Sequence, residues 1–557
     1  MSAWLALVSA LPLAVALLAA SRGRRAWMGW LAPLALLPAL VVALLVPPGT
    51  ALILDWLLLG TKLGLDATGR IFLLFSALAW LLAALYARVW LAADPRRARF
   101  FGFFLAAAAG NFGVCLAQDA VSFYFCFALM TFSAWGLVLH RANPAARRAG
   151  SVYLVLAVLG EAALLAALWL IVAEGGSVLA LAPAAVADSP WRDAIVALLL
   201  VGFGAKTGVL GLHVALPLAY GATPAPGAAA LASAMIKAGL LGWLRFLPLG
   251  FAVPEWSAIF IVLGLAAAFY GVIIGLAQRE PKVILAYSSI SQMGLITIGV
   301  GLGMTSPAAG AGALFALTLY ALHHALVKGA LFLGEGLHRV TRARARGWVF
   351  AGLVLLALVL AGAPLTSGML AKHYLKDLTV FAPWPLAPAL TLASVGTTLL
   401  MARFLWLVWR APAAVALPRS RGLVLPWVVM IAAVLTATWL VLPPDRAALL
   451  APGTLAGAAW PLALGVLVAV VALRFVPGRR FMIPPGDVLV PVERALRWLA
   501  ELARRVPRIP VMGAGPVSAT NTLAAIARLE QWLRSWNAVG VVLLALLGLF
   551  VALLAFG

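Results

Sequence analysis

Long apolar runs separated by short, arginine-rich loops dominate the chain. A helix of about 20 apolar residues is long enough to cross the hydrocarbon core of a bilayer. Short loops rich in lysine and arginine normally stay on the cytoplasmic side, so the apolar segments between successive basic clusters must come in even numbers. The basic clusters lie at 22–25, 96–99, 141–148, 279–282, 339–346, 410–421 and 474–508.

The segments between these clusters do come in even numbers. They predict an all-α polytopic membrane protein of about sixteen transmembrane helices, with both termini on the outer side of the membrane. The predicted helices lie near 4–20, 27–46, 70–92, 100–118, 119–140, 149–173, 191–214, 226–249, 256–278, 283–304, 308–336, 348–376, 386–409, 422–442, 455–475 and 536–556.

Two of the predicted helices carry glycine and proline in their middles, one within 206–227 and one within 362–370. A lysine lies beside each interruption, Lys206 in the first and Lys372 in the second. Such breaks at corresponding positions of two halves are typical of inverted repeats, with ion sites where backbone groups come unpaired. We therefore expect four parts: N-terminal helices, a first and a second inverted repeat, and C-terminal helices, over 1–99, 100–249, 256–410 and 411–557.

The segment 487–534 differs in composition from the rest. From residue 487 onwards, apolar and charged residues alternate at helical spacing, which predicts an amphipathic helix on the membrane surface or against a partner. Prolines at 507, 510 and 516 interrupt the pattern, so one continuous helix is not expected. A solvated cytoplasmic tail is the alternative.

Composition agrees with a membrane protein and excludes other classes. The chain is 65% hydrophobic and 10% charged, with a mean hydropathy of +1.08. Its net charge of +23 does not indicate nucleic-acid binding, because the arginines fall in short loops between apolar runs. Two cysteines without a CxxC motif or a Cys/His cluster offer no ligands for an iron–sulfur cluster or haem, so neither a cofactor nor a metal is expected.

Lysine and arginine are used differently along the chain. Arginine stays charged at any accessible pH, whereas a lysine buried in low dielectric can load and release a proton. An intramembrane lysine costs roughly 2.5 to 3.5 kcal/mol on insertion scales, so several retained together indicate function. A lysine near a helix end can instead extend to the headgroups, which suits Lys376. Five of the seven lysines lie inside or against apolar segments: Lys206, Lys237, Lys328, Lys372 and Lys376.

Several segments resemble the proton-translocating antiporter-like family. That family includes the large membrane-arm subunits of respiratory complex I, of Mrp-type sodium/proton antiporters and of membrane-bound group 4 hydrogenases. The similarity extends over about residues 60–410, and the Met-Ile-Lys sequence ending at Lys237 is closer to the hydrogenase branch than to complex I. The segments that carry the resemblance are 65–66, 202–213, 223–224, 234–239, 282–294 and 324–334.

The resemblance implies a subunit that moves protons, or exchanges sodium for protons, within a larger complex in the inner membrane of a prokaryote. Its partners would be other integral membrane subunits, and it would not be catalytic alone. Two alternatives stay open. One is a stand-alone antiporter, and the other is a scaffold subunit that has lost pumping.

The resemblance also assigns roles to residues at matching positions. Lys206 corresponds to the lysine that takes up the proton beside the first break. Lys237 corresponds to a bridging polar group, and Lys328 with His324 one turn before it forms the central relay. Lys372 corresponds to the exit-side group of the second broken helix.

One departure from the family pattern concerns the partner of Lys206. The glutamate that the family keeps on the fifth helix is Ala128 here. We expect Glu161, on the sixth helix, to supply the missing countercharge, because an unpaired buried cation would otherwise have to lose its proton. Glu335 could tune Lys328 or reach the cytoplasmic rim, and His213, seven residues after Lys206, is placed to shuttle a proton.

Overall fold

The computed structural model describes residues 2–19, 27–341, 343–412, 421–442, 447–475 and 483–491, together with 494, 495 and 498. The chain divides into two units, Met1–Pro491 and Val492–Gly557, and the architecture below is that of the first. The predicted helix at 536–556 and almost all of the predicted amphipathic segment lie outside the described residues. The count of sixteen helices and the side of the termini therefore stay predictions.

Most of the described chain is helical, as the apolar runs predict. In the first half, the helices are α1 (Ala3–Leu18), α2 (Met28–Leu45), α3 (Ala67–Trp90), α4 (Arg97–Leu116), α5 (Ala120–Val138), α6 (Pro144–Gly175), α7 (Ala182–Asp188), α8 (Arg192–Thr207), α9 (Ala215–Ala222), α10 (Ala225–Ala230) and α11 (Ile236–Phe246). A π-helical turn, Leu231–Met235, joins α10 to α11.

The second half of the described chain is also helical. Its helices are α12 (Pro254–Leu276), α13 (Pro281–Gly303), α14 (Pro307–Val340), α15 (Ala343–Ala361), α16 (Ser367–Asp377), α17 (Ala387–Arg410), α18 (Arg421–Val441), α19 (Ala447–Leu450) and α20 (Pro452–Phe475). Within the described residues, twelve helices are long and apolar enough to cross a membrane. The spans not among these twelve include the short α1 and the two interrupted ones, α8 with α9 and α15 with α16.

Helix starts follow ordinary capping chemistry. Asp66, Asp119, Asn143, Ser306 and Thr366 each accept a hydrogen bond from a backbone N–H in the first turn of the helix that follows. A side-chain oxygen at this position satisfies a backbone donor that the helix itself leaves unpaired. These caps set the boundaries of α3, α5, α6, α14 and α16.

A short antiparallel hairpin, which the sequence did not predict, follows α2. Strand β1 (Ala51–Leu54) pairs with β2 (Thr61–Gly64), and Lys62 N donates to Asp119 Oδ2 at 2.8 Å. The hairpin thereby covers the start of α5. It lies between two spans and leaves the helical architecture unchanged.

The arginine-rich loops that the structure describes, near residues 96–99, 141–148, 279–282 and 339–341, lie at one end of the helix bundle, which we call the arginine face. Contacts between loops distant in sequence show this: Arg96 donates to the His140 carbonyl, Arg403 donates to the Gln278 carbonyl, and Arg339 pairs with Glu280. The hairpin and the start of α5 lie at the other end, the opposite face. There Arg245 pairs with Asp66 at 2.8 Å. The chain is thus an integral membrane protein, and the basic loops within its described part share one side.

Candidate functional site

Two glycines end α8 and form the first break, residues 208–214. Gly208 adopts a left-handed conformation with φ +81°, and its N–H bonds the Gly204 carbonyl at 2.8 Å, a common way for a helix to stop. Gly211 also has positive φ, +96°. The chain resumes as α9 at Ala215. Lys206 therefore sits on the last turn before an interrupted stretch of backbone.

Lys206 faces a cavity of about 50 Å³ formed between α5, α6, α8, α9 and the π-helical turn. Its Nζ donates to the Tyr153 hydroxyl at 3.2 Å and lies 5.6 Å from the centre of the Phe127 ring. A cavity of this size and partly polar lining can hold a few water molecules. The Lys206 ammonium group thus contacts the Tyr153 hydroxyl and borders a cavity that can hold water.

Glu161 lines the same cavity from α6. It is 5% exposed, and its Oε2 has no hydrogen-bond partner within the described residues. Helices α6 and α8 approach closely because Gly160 and Gly202 face each other: a Cβ on Gly202 would lie 3.0 Å from the Gly160 carbonyl oxygen. Small residues at such a crossing let two membrane helices come together. The structure therefore brings Glu161 and Lys206, a pair expected from the sequence, to one site.

Helix α5 contributes no carboxylate to this cavity. Phe127 and Thr131 line it, whereas Ala128 does not, and the buried Thr131 side chain interacts with Glu161. The acid of the cavity belongs to the sixth helix, one helix away from the position that the family resemblance implied.

Lys237 is fully buried just after the π-helical turn. Its Nζ donates to the Ala232 carbonyl at 2.6 Å, five residues earlier. Single π turns widen a helix and are frequent at functional sites. Met235 and Ile236, which precede Lys237, line the Lys206 cavity, so Lys237 lies next to the wall of that cavity.

Lys328 lies at the centre of the bundle on α14 and is also fully buried. Its Nζ donates to the Leu285 carbonyl at 2.9 Å and to the Ser288 hydroxyl at 2.8 Å, both on α13. His324, one turn earlier, is buried with neither ring nitrogen hydrogen bonded to a described residue, and it lies close enough to interact electrostatically with Lys237 and Lys328. The central lysines and His324 thus form one cluster.

His323 links the central cluster to the second break, residues 362–366. Its Nδ1 hydrogen bonds with the Ser367 hydroxyl at 2.9 Å, at the start of α16. On the far side of the break, Lys372 Nζ donates to the Ala361 carbonyl at 2.5 Å, which is the last carbonyl of α15. Lys372 and Lys376 line a second cavity of about 150 Å³ between α16, α17 and α20.

The four lysines Lys206, Lys237, Lys328 and Lys372, which we call the lysine series, share one kind of environment. Each Nζ donates to a carbonyl or hydroxyl oxygen of a neighbouring residue. The two outer lysines are partly exposed and adjoin cavities, while the two inner ones are fully buried.

Glu335 and His213 each pair with a residue outside the lysine series. Glu335 is buried on α14 and forms an ion pair with Arg339 one turn later, close to the arginine face. His213 is buried in the first break, where its Nε2 lies 3.3 Å from Asp487 Oδ2. Glu335 is thus placed at the rim, one of the two positions that the sequence left open for it.

Sequence reasoning missed two residues of this region. Lys282 reads as part of a basic loop, yet it is buried and its Nζ donates to the Thr223 carbonyl at 2.8 Å, at the end of α9. Asp487 reads as the start of a surface segment, yet it is buried against α12 and α13. Pro224 follows Thr223 and indicates a helix end whose last carbonyls need hydrogen-bond donors. This was the one sequence feature that could have indicated a buried donor such as Lys282. Within the described ranges, no group of three or more His, Cys, Asp or Glu side chains could hold a metal ion.

Known proteins that are similar in sequence include a hydrogenase component and an oxidoreductase subunit. The hydrogenase-4 component B of Escherichia coli is 28% identical over 335 residues, which are 56% of this chain and 50% of that protein. The NADH-quinone oxidoreductase subunit N of Desulforudis audaxviator is 31% identical over 341 residues, which are 57% of this chain and 66% of that protein. The chain therefore spans about half the length of the hydrogenase relative.

Solved structures share the fold. A chain of the Mrp complex from Dietzia sp. superposes with a TM-score of 0.75 at 23% identity, covering 97% of this chain and 63% of that chain. The family described as "NADH:quinone oxidoreductase/Mrp antiporter, TM" matches residues 117–400, which include both breaks and the whole lysine series. This match extends over half of the sequence, and the chain therefore belongs to the NADH:quinone oxidoreductase/Mrp antiporter transmembrane family.

Proposed function

We propose that the chain conducts protons across the membrane along the lysine series, from the first break through the buried centre to the second break. The single observation that carries this proposal is the environment of the four Nζ groups: each is held by carbonyl or hydroxyl oxygens between two interrupted helices. Interrupted helices at mid-membrane with intramembrane cations mark ion paths in transporters.

The chemistry of these contacts suits proton transfer. A buried ammonium without a fixed counterion is costly, so a proton on one lysine is not trapped there. When the amine is neutral, its lone pair can accept a proton from a neighbouring water, serine or histidine. Ser288 and His324 adjoin Lys328, and His323 bridges toward Ser367, so donors and acceptors continue between the inner lysines and the second break.

Glu161 supports transport over the scaffold alternative. Loss of the carboxylate at Ala128 is the sequence argument for a scaffold that no longer pumps. A buried carboxyl group costs free energy unless it serves a purpose, and Glu161 lines the Lys206 cavity with one oxygen unpartnered. We infer that this carboxylate replaces the missing one and that the first half of the path operates.

We further propose that the chain works as one subunit among other integral membrane subunits, in the inner membrane of a prokaryote with its arginine face toward the cytoplasm. Positively charged loops on one side support this orientation. The relatives are by name a hydrogenase component and an oxidoreductase subunit, which supports an assembly. Copurification of partner subunits with an affinity-tagged chain tests it, and a chain that purifies alone and transports ions would favour a stand-alone antiporter.

Ion flux tests the path itself. The tagged chain, with the subunits that copurify with it, is placed in proteoliposomes with a pH-sensitive dye, and a potassium diffusion potential drives uptake. Replacing Lys328 by Ala should reduce proton flux to the level of empty liposomes. A matched control replaces Lys62 by Ala, since Lys62 lies in the β-hairpin and outside the bundle. Equal flux in wild type and Lys328→Ala would support the scaffold, and flux that requires sodium would indicate exchange.

A further inference from the structure

The segment that follows α20 returns to the bundle and buries a carboxylate. Asp487 has a side chain that is 3% exposed, although it belongs to a short turn rather than to a membrane-spanning helix. Its Oδ2 accepts from Tyr270 Oη at 2.8 Å and from Tyr287 Oη at 2.7 Å, and lies 3.3 Å from His213 Nε2. Its Oδ1 accepts from the Val488 N–H. The carboxylate is therefore fully satisfied by hydrogen bonds.

The local sequence builds this turn to present Asp487. Residues 484–487 read Pro-Pro-Gly-Asp, with the Asp487 N–H bonded to the Pro484 carbonyl at 3.0 Å. Gly486 has φ +91° and Asp487 itself has φ +22°, a region that residues other than glycine adopt rarely. Strained backbone of this kind persists only where its surroundings hold it in place. Here the three donors on α12, α13 and the first break provide that support.

The carboxylate lies inside the bundle on the side of the arginine face. Tyr270 is six residues before the end of α12 and Tyr287 is six residues after the start of α13, and both of these ends are at the arginine face. At 1.5 Å per residue, the two hydroxyl-bearing residues lie about 9 Å below the helix ends. Asp487 thus lies on the arginine-face side of the bundle and contacts His213 in the first break.

His213 is fixed at both ring nitrogens. Its Nδ1 lies 3.2 Å from the Gly211 N–H, which donates to it, so the proton of the neutral ring is on Nε2 and points at Asp487. A carboxylate on one imidazole nitrogen orients the ring and stabilises its protonated form, leaving the other nitrogen to exchange protons. Here the other nitrogen faces the Gly211 N–H in the first break, five residues after Lys206 in the sequence.

We propose that His213 is the proton-exchanging base at the arginine-face end of the path and that Asp487 is its positioning residue and countercharge. The proposal rests on the proposed function and deepens it by naming the group that precedes Lys206. A proton arriving through water binds Nδ1, the ring becomes an imidazolium beside the Asp487 carboxylate, and the same proton then leaves Nδ1 for water on the Lys206 side.

Protonation of Nδ1 removes the acceptor of the Gly211 N–H, so the turn around Gly211 must shift in each cycle. A Cβ at Gly211 would meet no atom within 4 Å, and the residue has the backbone freedom of glycine at φ +96°. The turn therefore has room for this shift. The groups that face His213 are Asp487, Tyr270 and, through the shared carboxylate, Tyr287.

Proton flux against pH tests the proposal in the proteoliposome preparation described above. Replacing Asp487 by Asn removes the countercharge at constant size, and the flux profile should move toward acid by about one pH unit, an effect typical of losing a close opposite charge. Flux at pH 7.5 then falls by up to about tenfold, and the variant regains the wild-type flux about one pH unit lower. His213→Gln should lower flux at least about tenfold at every pH, because glutamine carries no proton.

Three further variants separate the effect of the Asp487 charge from other effects of the substitutions. Asp487→Glu restores the charge and should recover most of the wild-type profile. Tyr270→Phe removes one donor but keeps the charge, and flux should stay within about threefold of wild type. Asp94→Asn is the matched control, because Asp94 contacts His140 Nε2 at 2.9 Å on the same face but away from the first break; its profile should equal that of wild type.

The results distinguish a failure of this inference from a failure of the proposed function. If Asp487→Asn reduces flux by one factor at all pH values, or not at all, the countercharge role is wrong. If His213→Gln conducts normally while Lys328→Ala does not, the inference fails and the proposed path survives. If Lys328→Ala also conducts normally, the proposed function itself fails. Thermal unfolding of each variant in detergent identifies a loss of flux that is caused by misfolding.

Discussion

Glu161 and Lys206 face one cavity from adjacent helices, yet the lysine donates to Tyr153, and Glu161 Oε2 has no partner within the described residues. Glu161 and Lys206 thus do not form a direct ion pair. They border one cavity, between α6 and α8, that can hold water. A pair of this kind can exchange a proton through water, whereas a direct buried bridge would hold it.

This relationship predicts the effect of replacing Glu161 by Gln. Flux should fall as strongly as in Lys206→Ala, at least about tenfold, because the buried cation loses the one carboxylate that lines the cavity among the described residues. The measurement is proton uptake into proteoliposomes. Glu174→Gln is the matched control, since Glu174 is exposed near the end of the same helix. Near-normal flux in Glu161→Gln would refute the assigned role.

The close crossing of α6 and α8 gives a second prediction. A Cβ on Gly202 would lie 2.4 Å from Leu164 Cγ and 3.0 Å from the Gly160 carbonyl oxygen, so Gly202→Ala must push the two helices apart. We expect a loss of about 1–3 kcal/mol in stability, as is usual for overpacking, together with reduced flux because Glu161 moves away from Lys206.

The unfolding temperature in detergent measures the effect on stability. Gly347→Ala serves as control, because a Cβ there meets nothing within 4 Å and alanine suits a helix better than glycine. An unchanged unfolding temperature in Gly202→Ala would show that α6 and α8 are less tightly packed than their glycines indicate.

The second break gives a third prediction. Gly362 has φ +93°, and a Cβ there would lie 3.0 Å from Lys372 Cδ and 3.3 Å from its Nζ. Gly362→Ala should therefore cost about 1–3 kcal/mol in backbone strain and displace the Lys372 ammonium from the Ala361 carbonyl. Flux should fall more than stability alone explains.

The control for this variant is Gly457→Ala, which lines the same 150 Å³ cavity from α20 but has open space around its Cβ. Flux and unfolding temperature should both stay close to those of wild type. If the two alanine variants behave alike, the geometry of the break does not matter for transport.

Much of the fold could be predicted from the sequence because bilayer physics leaves few choices. Apolar length and arginine loops located the helices, and glycine with proline located both breaks. The pairing of Glu161 with Lys206 was also a sequence expectation, reached from the missing carboxylate at Ala128, and both residues line one cavity. Whether the two residues carry protons stays a prediction.

Other features could not be predicted from the sequence because they depend on contacts between distant segments. Asp487 meets His213 across 274 residues of sequence, and nothing in the local pattern of either segment indicates the contact. Lys282 lies beside charged neighbours in sequence, and the Thr223 carbonyl that its Nζ contacts lies 59 residues away. The π-helical turn before Lys237 has no glycine or proline to reveal it.

The last prediction concerns stability against pH at the arginine face. His140 follows α5 in a short turn outside the membrane-spanning helices, and its Nε2 contacts Asp94 Oδ2 at 2.9 Å. Burial lowers the pKa of His140 below its ordinary value, although the hydrogen bond with Asp94 partly opposes this. Burial acts to raise the pKa of Asp94, but its hydrogen bonds with His140 and the Arg96 N–H outweigh burial and hold the pKa below its usual range.

Both shifts destabilise the fold in acid. A histidine whose pKa is lower in the folded than in the unfolded state contributes stability that is complete above about pH 6.5 and is lost as the pH falls through the folded pKa. The Asp94 contribution is lost only at still lower pH, below the ordinary range of a carboxyl group. Replacing His140 by Gln keeps a donor for Asp94 but removes the titration.

The unfolding temperature of wild type should therefore fall more steeply between pH 7.5 and 5 than that of His140→Gln, and the two should converge above neutral pH. His373→Gln is the matched control, since His373 is half-exposed and also contacts a carboxylate, Asp377, at 3.6 Å. Parallel curves for wild type and His140→Gln would mean that acid destabilises the protein elsewhere. A steeper fall in the variant would mean that protonated His140 stabilises the turn, which is the opposite sign.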